Sequence, residues 1–318
     1  MPVAAPVLVL TDPYDITADH VVDELNRRGH PVFRCDPGEF PARLSVTARF
    51  DRGWAGRLRL PGTSVALDEI GCACYRRPST FELSGDLGEH ERRWARREAR
   101  RGLGGLLAAL PRWLNHPFAI AAAEYKPVQL ELAARAGLVV PTPIITNDAA
   151  DARAFVSSVE SAIYKPLAGG VLGEAGEHKL TYTNRVTVDE IDDSVAATAH
   201  LFQSWVQKQH EIRLTVVDAT MFAIRIDAES AAAHQDWRSD YPSLRYRVVE
   251  IPHGVRTSVA TLMDALRLRF AAIDFVVDHD GQWTFLEVNP NGQWAWLENA
   301  TGAPIASAIA ETPTGEQR

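Results

Sequence analysis

Apolar and polar positions along the first 80 residues predict a parallel sheet that is covered by helices. Residues 7–10 form a short apolar run, and we expect a buried strand that ends in a turn at 11–13. Between 17 and 28 the apolar residues recur at helical spacing, and Gly29 provides a stop. A second strand is predicted at 31–34. This β-α-β order is typical of parallel strands.

A further strand is predicted at 72–75, after a stretch between 42 and 70 whose short alternating runs and glycines favour a meander. The strand leads into Arg76, Arg77 and Pro78. Two arginines at the end of a strand can present their guanidinium groups to an anion. They can equally belong to a solvated loop, and the dipeptide alone leaves both interpretations open.

Residues 88–114 have helical spacing and are rich in arginine. A basic helix suggests nucleic-acid binding, but Glu89, Glu91 and Glu98 are interspersed and the chain is acidic overall. We therefore predict a solvent-facing helix with local ion pairs, each contributing about 0.2–0.5 kcal/mol.

A new unit begins near residue 116, where Asn115, His116 and Pro117 break the helical pattern. Its predicted elements are a helix at 124–136, a strand from 138, a helix at 150–159 and a strand at 162–166. The loop at 167–177 carries four glycines within eight residues, including Gly169 and Gly170. Such a loop can approach a ligand closely or move as a flap.

Two β-rich runs near the C-terminus carry the candidate metal ligands. The turn at 278–281 separates them and predicts a hairpin. Asp274 interrupts the first run, while Glu287 and Asn289 of the second are two residues apart and share a face. Such oxygen ligands suit Mg²⁺ that is shared with nucleotide phosphates. One Asp and one Glu alone would favour a solvated polar face instead.

The composition is that of an ordinary globular protein, with 46% hydrophobic and 23% charged residues among 318. A net charge of -8 gives no reason to expect nucleic-acid binding. No membrane span or signal peptide is evident, so we predict a cytoplasmic protein. Three cysteines cannot all pair, and we expect buried thiols rather than a metal site at Cys35, Cys72 and Cys74.

Cations in the middle of the chain complement the oxygen ligands. Lys126, Lys165, Arg213 and Arg225 can neutralise a polyphosphate, and the glycine-rich loop can exclude water. A lone lysine on a strand is usually a surface residue. An ordered set of cations, a glycine-rich loop and Mg²⁺ ligands indicates a nucleotide site more specifically than a lone lysine does.

This ordered set resembles the ATP-grasp superfamily. The motifs that carry the resemblance are Glu124-Tyr125-Lys126-Pro127, residues 137–141, Tyr164-Lys165-Pro166 with Gly169-Gly170, Glu211-Ile212-Arg213 and Glu287-Val288-Asn289-Pro290. Within it, the chain is most similar to the ATP-grasp ribosomal peptide maturases, the graspetide or omega-ester-containing peptide synthetases. Residues 75–78, 236–241 and 289–298 carry that narrower likeness.

The resemblance implies an α/β (α+β) ATP-grasp fold with an N-terminal, Rossmann-like pre-ATP-grasp domain. The implied divisions are a pre-ATP-grasp domain at 1–115, a central domain at 116–200, a C-terminal domain at 201–312 and a tail at 313–318. ATP and Mg²⁺ would bind between the central and C-terminal domains.

It also implies roles for single residues. The phosphates of ATP would lie against Lys126, Lys165, Gly169 and Gly170. The adenine side would be formed by residues 202–206, among them Gln203, Trp205 and Val206, with Glu211 at the ribose or adenine. Mg²⁺ would be bound by Asp274, Glu287 and Asn289. Arg213 and Arg225 would face the γ-phosphate or an acyl phosphate. Arg238 and Asp240 would either orient the two reacting groups or pair with each other.

The implied activity is that of an ADP-forming ligase. The chain would phosphorylate Asp or Glu side chains of a ribosomally made precursor peptide (leader plus core). It would then join them to Thr, Ser or Lys side chains as macrocyclic esters or amides. The alternatives are a ligase for small amino acids or peptides, or one that adds amino acids to a protein, and an idle nucleotide-binding module. The resemblance further implies a homodimer without nucleic-acid or membrane partners.

Overall fold

The computed structural model describes residues 4–168, 171–174, 177–180, 184–230 and 240–312. Its strands are β1 (Val7–Leu10), β2 (Val32–Cys35), β3 (Ser45–Phe50), β4 (Trp54–Leu60), β5 (Thr63–Ala66), β6 (Cys72–Tyr75), β7 (Pro143–Thr146), β8 (Ala162–Lys165), β9 (Val171–Glu174), β10 (Glu177–Leu180), β11 (Asn184–Val186), β12 (His200–Ser204), β13 (His210–Val217), β14 (Thr220–Ala228), β15 (Leu244–Val249), β16 (Phe270–Val277) and β17 (Trp283–Asn289). Its α-helices are α1 (Ile16–Arg27), α2 (Glu89–Ala108), α3 (Pro117–Ala123), α4 (Lys126–Arg135), α5 (Ala149–Ser158), α6 (His253–Leu266), α7 (Ala295–Thr301) and α8 (Ile305–Glu311).

The first sheet is parallel, which confirms the prediction made from the apolar pattern. β1 lies between β2 and β6, and both neighbours run parallel to it. Val7 and Val9 pack against α1 on one side of the sheet. Leu8 and Leu10 pack against α2 on the other side. A separate antiparallel sheet, β3-β4-β5, forms the predicted meander.

Helix α2 faces solvent, as predicted. Its buried residues, Ala99, Leu103 and Leu107, all belong to its second half. Near its start, Glu89 accepts from Arg93 at 2.7 Å, which is an ion pair of the expected local kind.

The helix predicted at 124–136 is confirmed as α4, and a short helix that was not predicted precedes it. A first short helix, α3, ends at Ala123, and α4 starts at Lys126. Pro127 lies in the first turn of α4, where its missing N–H is not needed by the helix. The break between α3 and α4 places Lys126 at the first position of α4.

A four-stranded antiparallel sheet, β11-β8-β12-β7, packs α5 on one face. Phe202 and Tyr164 are directly opposite each other and lie on that packed face. The alternate residues therefore point away from α5, and among them are Lys165 and Gln203. The sheet thus presents polar side chains on its second face.

The largest sheet has the order β15-β14-β13-β16-β17 and is antiparallel throughout. One face packs against α4 and α6 in an apolar core. Part of the other face packs against α1, α7 and α8 around the buried side chain of Trp294. The remainder of that second face carries charged residues and is the candidate site described below.

The three cysteines are free and buried, which confirms that expectation. Burial raises the pKa of the thiols of Cys35 and Cys74 to about 12. It also raises the pKa of Cys72. Within the described ranges, no helix is both long and apolar enough to cross a membrane. The domain divisions at 115/116 and 200/201 stay predictions.

Candidate active site

A row of charged residues crosses the exposed part of the largest sheet. The strand register sets Arg213 of β13, Asp274 of β16 and Glu287 of β17 directly opposite one another. One guanidinium nitrogen of Arg213, Nη1, donates to both carboxylate oxygens of Asp274 at 2.7 Å. Both partners are buried, so this pair is charge-assisted and shielded from water.

Two lysines from outside the sheet converge on the end of this row. Lys126 Nζ lies 2.7 Å from Glu287 Oε2, and Lys165 Nζ lies 3.3 Å from the same oxygen. Burial lowers the pKa of Lys165, and the charge of Glu287 partly offsets that effect. The structure therefore brings the predicted phosphate lysines and the predicted metal ligands together. Their charges compensate one another.

A β-bulge decides which way Glu287 points. Phe275 pairs with Phe285, whereas Asp274 pairs with Glu287, so Leu286 is an extra residue on β17. Without it, Leu286 would stand opposite Asp274, and Glu287 would point into the apolar core beside α4 and α6. The bulge also turns the carbonyl of Leu286 outward, where Lys165 Nζ donates to it at 3.0 Å.

The outer edge of β17 is held by groups that the sequence did not single out. Gln129 of α4 donates to the carbonyl of Val288 at 2.9 Å and accepts from its N–H at 3.0 Å. The N–H of Phe285 donates to the carbonyl of Val139 at 2.8 Å. The backbone on both sides of Glu287 is consequently fixed, which orients its carboxylate.

The predicted adenine side lies on the same face as Lys165. Gln203 is almost completely buried, and neither polar atom of its amide has a partner within the described part of the chain. Trp205 and Val206 follow it and are partly exposed. Buried Glu211 pairs with Lys208, whose Nζ lies 5.6 Å from the ring centre of Trp205. A buried amide without a partner is the kind of group that a ligand satisfies.

The loop after β17 closes over the charged row. Asn289 accepts from the N–H of Asn291 at 3.0 Å, and Arg213 Nη2 donates to the carbonyl of Gln293 at 3.3 Å. Buried Asn115 donates to the carbonyl of Pro290 at 3.1 Å. Gly292 sits directly over the sheet, where there is no room for a side chain.

We expect Gly292→Ala to lower turnover by about tenfold or more, because the loop or Arg213 must move. A Cβ at this position would lie 2.3 Å from Cβ of Ala272 and 3.1 Å from Nη2 of Arg213. ADP release measures the effect. The control is Gly254→Ala in α6, where the new Cβ would meet nothing within 4 Å. Equal rates for the two variants would contradict the close packing of this loop.

Arg76, at the end of β6, forms a buried ion pair and also contacts this loop. Arg76 Nε donates to Asp15 Oδ2 at 2.7 Å, and Thr11 Oγ1 donates to the same oxygen at 2.8 Å. Burial raises the pKa of Asp15, but the hydrogen bond and charge of Arg76, together with hydrogen bonds from Thr11 and Ala18, outweigh it, so the net pKa is lowered. Arg76 Nη2 also donates to Gln293 Oε1 at 3.4 Å, and Thr17 contacts that oxygen too.

Several predicted site residues are not brought into the row. Arg225 pairs with Ile212 across β13 and β14, so its side chain lies on the face opposite Arg213 and donates to Asp227. Asp240 accepts from Ser230 at 2.7 Å. The predicted residues Gly169, Gly170 and Arg238 lie outside the described residues. Arg225 therefore lies away from the charged row, and its predicted contact with the transferred phosphate stays a prediction.

His210 lies on the same face as Arg225, and its surroundings lower its pKa. Burial lowers its pKa to about 4, the charges of Arg225 and Arg247 act in the same direction, and Asp227 partly offsets them. The unfolded chain, with the ordinary value of 6.5, binds more protons between these two values. We expect stability to rise as pH increases from about 4 to about 6.5.

We expect His210→Gln to flatten that part of the stability profile. Urea unfolding across the same pH window measures it, and exposed His253→Gln serves as the control. Parallel profiles for wild type and His210→Gln would contradict the lowered pKa.

The residues present fit Mg²⁺ that is shared with phosphates. Among the described residues, no three His, Cys, Asp or Glu side chains gather into a metal site of their own. Asp274 and Glu287 supply two carboxylates on one face, and the carboxamide of Asn289 belongs to the same face. Mg²⁺ typically takes one or two carboxylates and completes its shell with water and substrate phosphates.

The fold has clear relatives among known proteins. Residues 6–121 match the family described as the MvdD pre-ATP grasp domain. A RiPP-associated ATP-grasp ligase from Chryseobacterium gregarium, solved with ADP and a leader and core peptide, is 26% identical with a TM-score of 0.90. The alignment covers 98% of each chain. No curated protein matches.

Two macrocyclases from Microcystis aeruginosa MRC are also similar. MdnB is 29% identical with a TM-score of 0.83, over 98% of this chain and 99% of its own. MdnC, solved with precursor peptide MdnA, is 24% identical with a TM-score of 0.87, over 98% of this chain and all of its own. These likenesses confirm the expected fold, an N-terminal pre-ATP-grasp domain followed by an ATP-grasp core.

Proposed function

We propose that this chain, whose ATP-grasp fold resembles that of the ribosomal peptide maturases along 98% of its length, is an ATP- and Mg²⁺-dependent peptide ligase. Its substrate is a ribosomally made precursor peptide with a leader and a core. It joins Asp or Glu side chains of the core to Thr or Ser hydroxyls, or to Lys amines. The observation that carries the proposal is the meeting of Lys126 and Lys165 with the row Arg213, Asp274 and Glu287.

The charges of this site suit a triphosphate. Lys126 and Lys165 share a single carboxylate, that of Glu287, so phosphate oxygens can take over as partners of both ammonium groups. Asp274, Glu287 and Asn289 would hold Mg²⁺, which neutralises phosphate charge when it is bound. Buried Gln203 offers a donor and an acceptor on the same face as Lys165.

The chemistry requires positioning more than a protein nucleophile. A side-chain carboxylate oxygen of the peptide attacks the γ-phosphorus of ATP, and ADP leaves, which produces an acyl phosphate. A hydroxyl or amine then attacks the carbonyl carbon, loses its proton and displaces phosphate. Each new ester or amide therefore removes one water from the peptide. The guanidinium of Arg213 lies in the row and is placed to face the transferred group.

Incubation with ATP, Mg²⁺ and candidate precursor peptides that are short, acidic and rich in hydroxyl side chains tests the proposal. We expect ADP release and the loss of one water mass for each linkage. An unchanged peptide, with ADP released only when free amino acids are supplied, would favour a small-substrate ligase. No ADP release with either substrate would favour an idle nucleotide-binding module.

We further propose that the protein is cytoplasmic and forms a homodimer. The proposed substrates are ATP and a newly synthesised peptide, and both are supplied in the cytoplasm, which supports that location. Sedimentation at micromolar concentration tests the subunit number, and a monomer there would contradict the dimer.

A further inference from the structure

Gln293, in the loop after β17, contacts both the charged row and the N-terminal part of the chain. Its backbone carbonyl accepts from Nη2 of Arg213 at 3.3 Å. Its side-chain oxygen, Oε1, accepts from Nη2 of Arg76 at 3.4 Å and also from the hydroxyl of Thr17. Thr17 lies in the first turn of α1, and Arg76 follows β6. The side chain of Gln293 is therefore held by the N-terminal part, and its backbone holds an arginine of the row.

These contacts determine how the amide of Gln293 is oriented. A guanidinium carries donors and no acceptor, so the oxygen of the amide, and not its nitrogen, must face Arg76. The hydroxyl of Thr17 donates to the same oxygen. The amide nitrogen makes no hydrogen bond with any residue that the structure describes. The side chain is thus held through its oxygen.

The two donors that meet this oxygen are themselves fixed. Arg76 and Thr17 are both buried. Arg76 Nε donates to Asp15 at 2.7 Å, and Asp15 caps α1 by accepting from the N–H of Ala18 at 3.2 Å. An ion pair and the first turn of a helix consequently set the positions of both donors. Fixed partners of this kind restrict the side chain of Gln293 to one conformation.

The guanidinium of Arg213 is attached at two of its nitrogens. Nη1 donates to both carboxylate oxygens of Asp274 at 2.7 Å. Bonds from a single nitrogen do not by themselves set the direction of the guanidinium plane. The contact between Nη2 and the carbonyl of Gln293 adds a second point of attachment. The direction of the plane therefore depends on where that carbonyl lies.

We propose that Gln293 is a positioning residue for Arg213. Its side chain, held by Arg76 and Thr17, fixes the carbonyl that orients the guanidinium toward the transferred phosphoryl group. This rests on the proposed function and extends it by giving the N-terminal part of the chain a role in the chemical step. Gln293 itself touches neither nucleotide nor peptide in this role. Loss of its side chain slows phosphoryl transfer while both substrates still bind.

The first test compares Gln293→Ala with Gln282→Ala. Gln282 is an exposed amide in the turn before β17, and its side chain donates to the adjacent carbonyl of Trp283 at 3.0 Å. With a precursor peptide that the wild type modifies, we expect Gln293→Ala to lower kcat by about tenfold to a hundredfold. KM for the peptide and affinity for AMPPNP with Mg²⁺ should stay near wild type, because Arg213 acts on the transition state. Equal kcat values for the two variants would overturn the proposal.

Two further variants separate positioning from other roles. Gln293→Glu keeps an oxygen for Arg76 and Thr17 and loses only the amide nitrogen, so most of the wild-type kcat should be retained. A rate as low as that of Gln293→Ala would instead make the nitrogen the important atom. In the slower Arg213→Lys background, adding Gln293→Ala should cause no further loss of kcat. A full additional loss would show that Gln293 does not act through Arg213.

A second measurement needs no peptide. In chains with ¹³C- and ¹⁵N-labelled arginine, NMR measures rotation about the Cζ–Nε bond, and Arg213→Lys identifies the signals of Arg213. We expect this rotation to be about threefold to tenfold faster in Gln293→Ala and near wild type in Gln293→Glu. Unchanged rotation in Gln293→Ala would overturn the proposal whether or not the chain ligates a peptide. A wild-type chain that leaves all candidate peptides unmodified counts against the proposed function instead.

Discussion

Glu287→Gln is expected to lower ADP release by about a hundredfold or more. The carboxylate accepts from both Lys126 and Lys165 and is a predicted Mg²⁺ ligand, and an amide replaces neither function. Without its charge, buried Lys165 loses the group that supports its protonated form, so its pKa falls further below the ordinary value. Steady-state ADP release, with circular dichroism to establish folding, measures the result.

A matched control is available on α4. Glu131 is an exposed carboxylate that pairs with Arg135 at 2.5 Å, and Glu131→Gln is expected to leave both rate and stability near wild type. Undiminished turnover in folded Glu287→Gln would refute the assignment of Glu287 to the metal and phosphate site.

Arg76→Ala is expected to lower the free energy of unfolding by about 3–5 kcal/mol. Arg76 and Asp15 are buried to nearly the same extent, with 5% and 3% of their side chains exposed. Removing the guanidinium leaves the carboxylate of Asp15 buried without its cation, and the pKa of Asp15 is then expected to rise. Urea unfolding at neutral pH measures the loss.

The comparison for this variant is Arg27→Ala in α1. Arg27 pairs with Glu24 at 2.6 Å but is 69% exposed, so its removal should lower the free energy of unfolding far less. A loss for Arg76→Ala as small as that for Arg27→Ala would show that the buried pair contributes no more to stability than an exposed one. Arg76→Ala also tests the contact with Gln293.

Local patterns were sufficient to predict most elements around the site. The apolar runs at β1, β2 and β6 follow from periodicity, and the turn at 278–281 separates β16 from β17 as expected. The spacing of Glu287 and Asn289 also placed them correctly on one face. These features depend on neighbouring residues in the chain, which is why a sequence reveals them.

The bulge at Leu286 could not be read from the sequence. An unbroken hairpin would have sent Glu287 into the apolar core, and nothing in the run from Trp283 to Asn289 marks the extra residue. Its cause lies elsewhere in the fold, since Gln129 and Lys165 bond the backbone on either side. Such partners are distant in sequence and invisible to periodicity.

The misplacement of Arg225 was avoidable. Val217 pairs with Thr220, so the loop between β13 and β14 has only two residues. This fixes Ile212 opposite Arg225, and the alternation of side chains then puts Arg225 on the face away from Arg213. Counting the register across the turn would have placed Arg225 and Arg213 on different faces of the sheet.

The burial of all three cysteines has a practical consequence for following this protein in action. With thiol pKa values raised to about 12 at Cys35 and Cys74, hardly any nucleophilic sulfur is available near neutrality. Maleimide dyes should not label the native chain, so one engineered cysteine on each of the two sheets that carry Lys165 and Glu287 can carry a fluorophore. Energy transfer between two such dyes would then measure in real time any change in the distance between these two sheets when ATP binds.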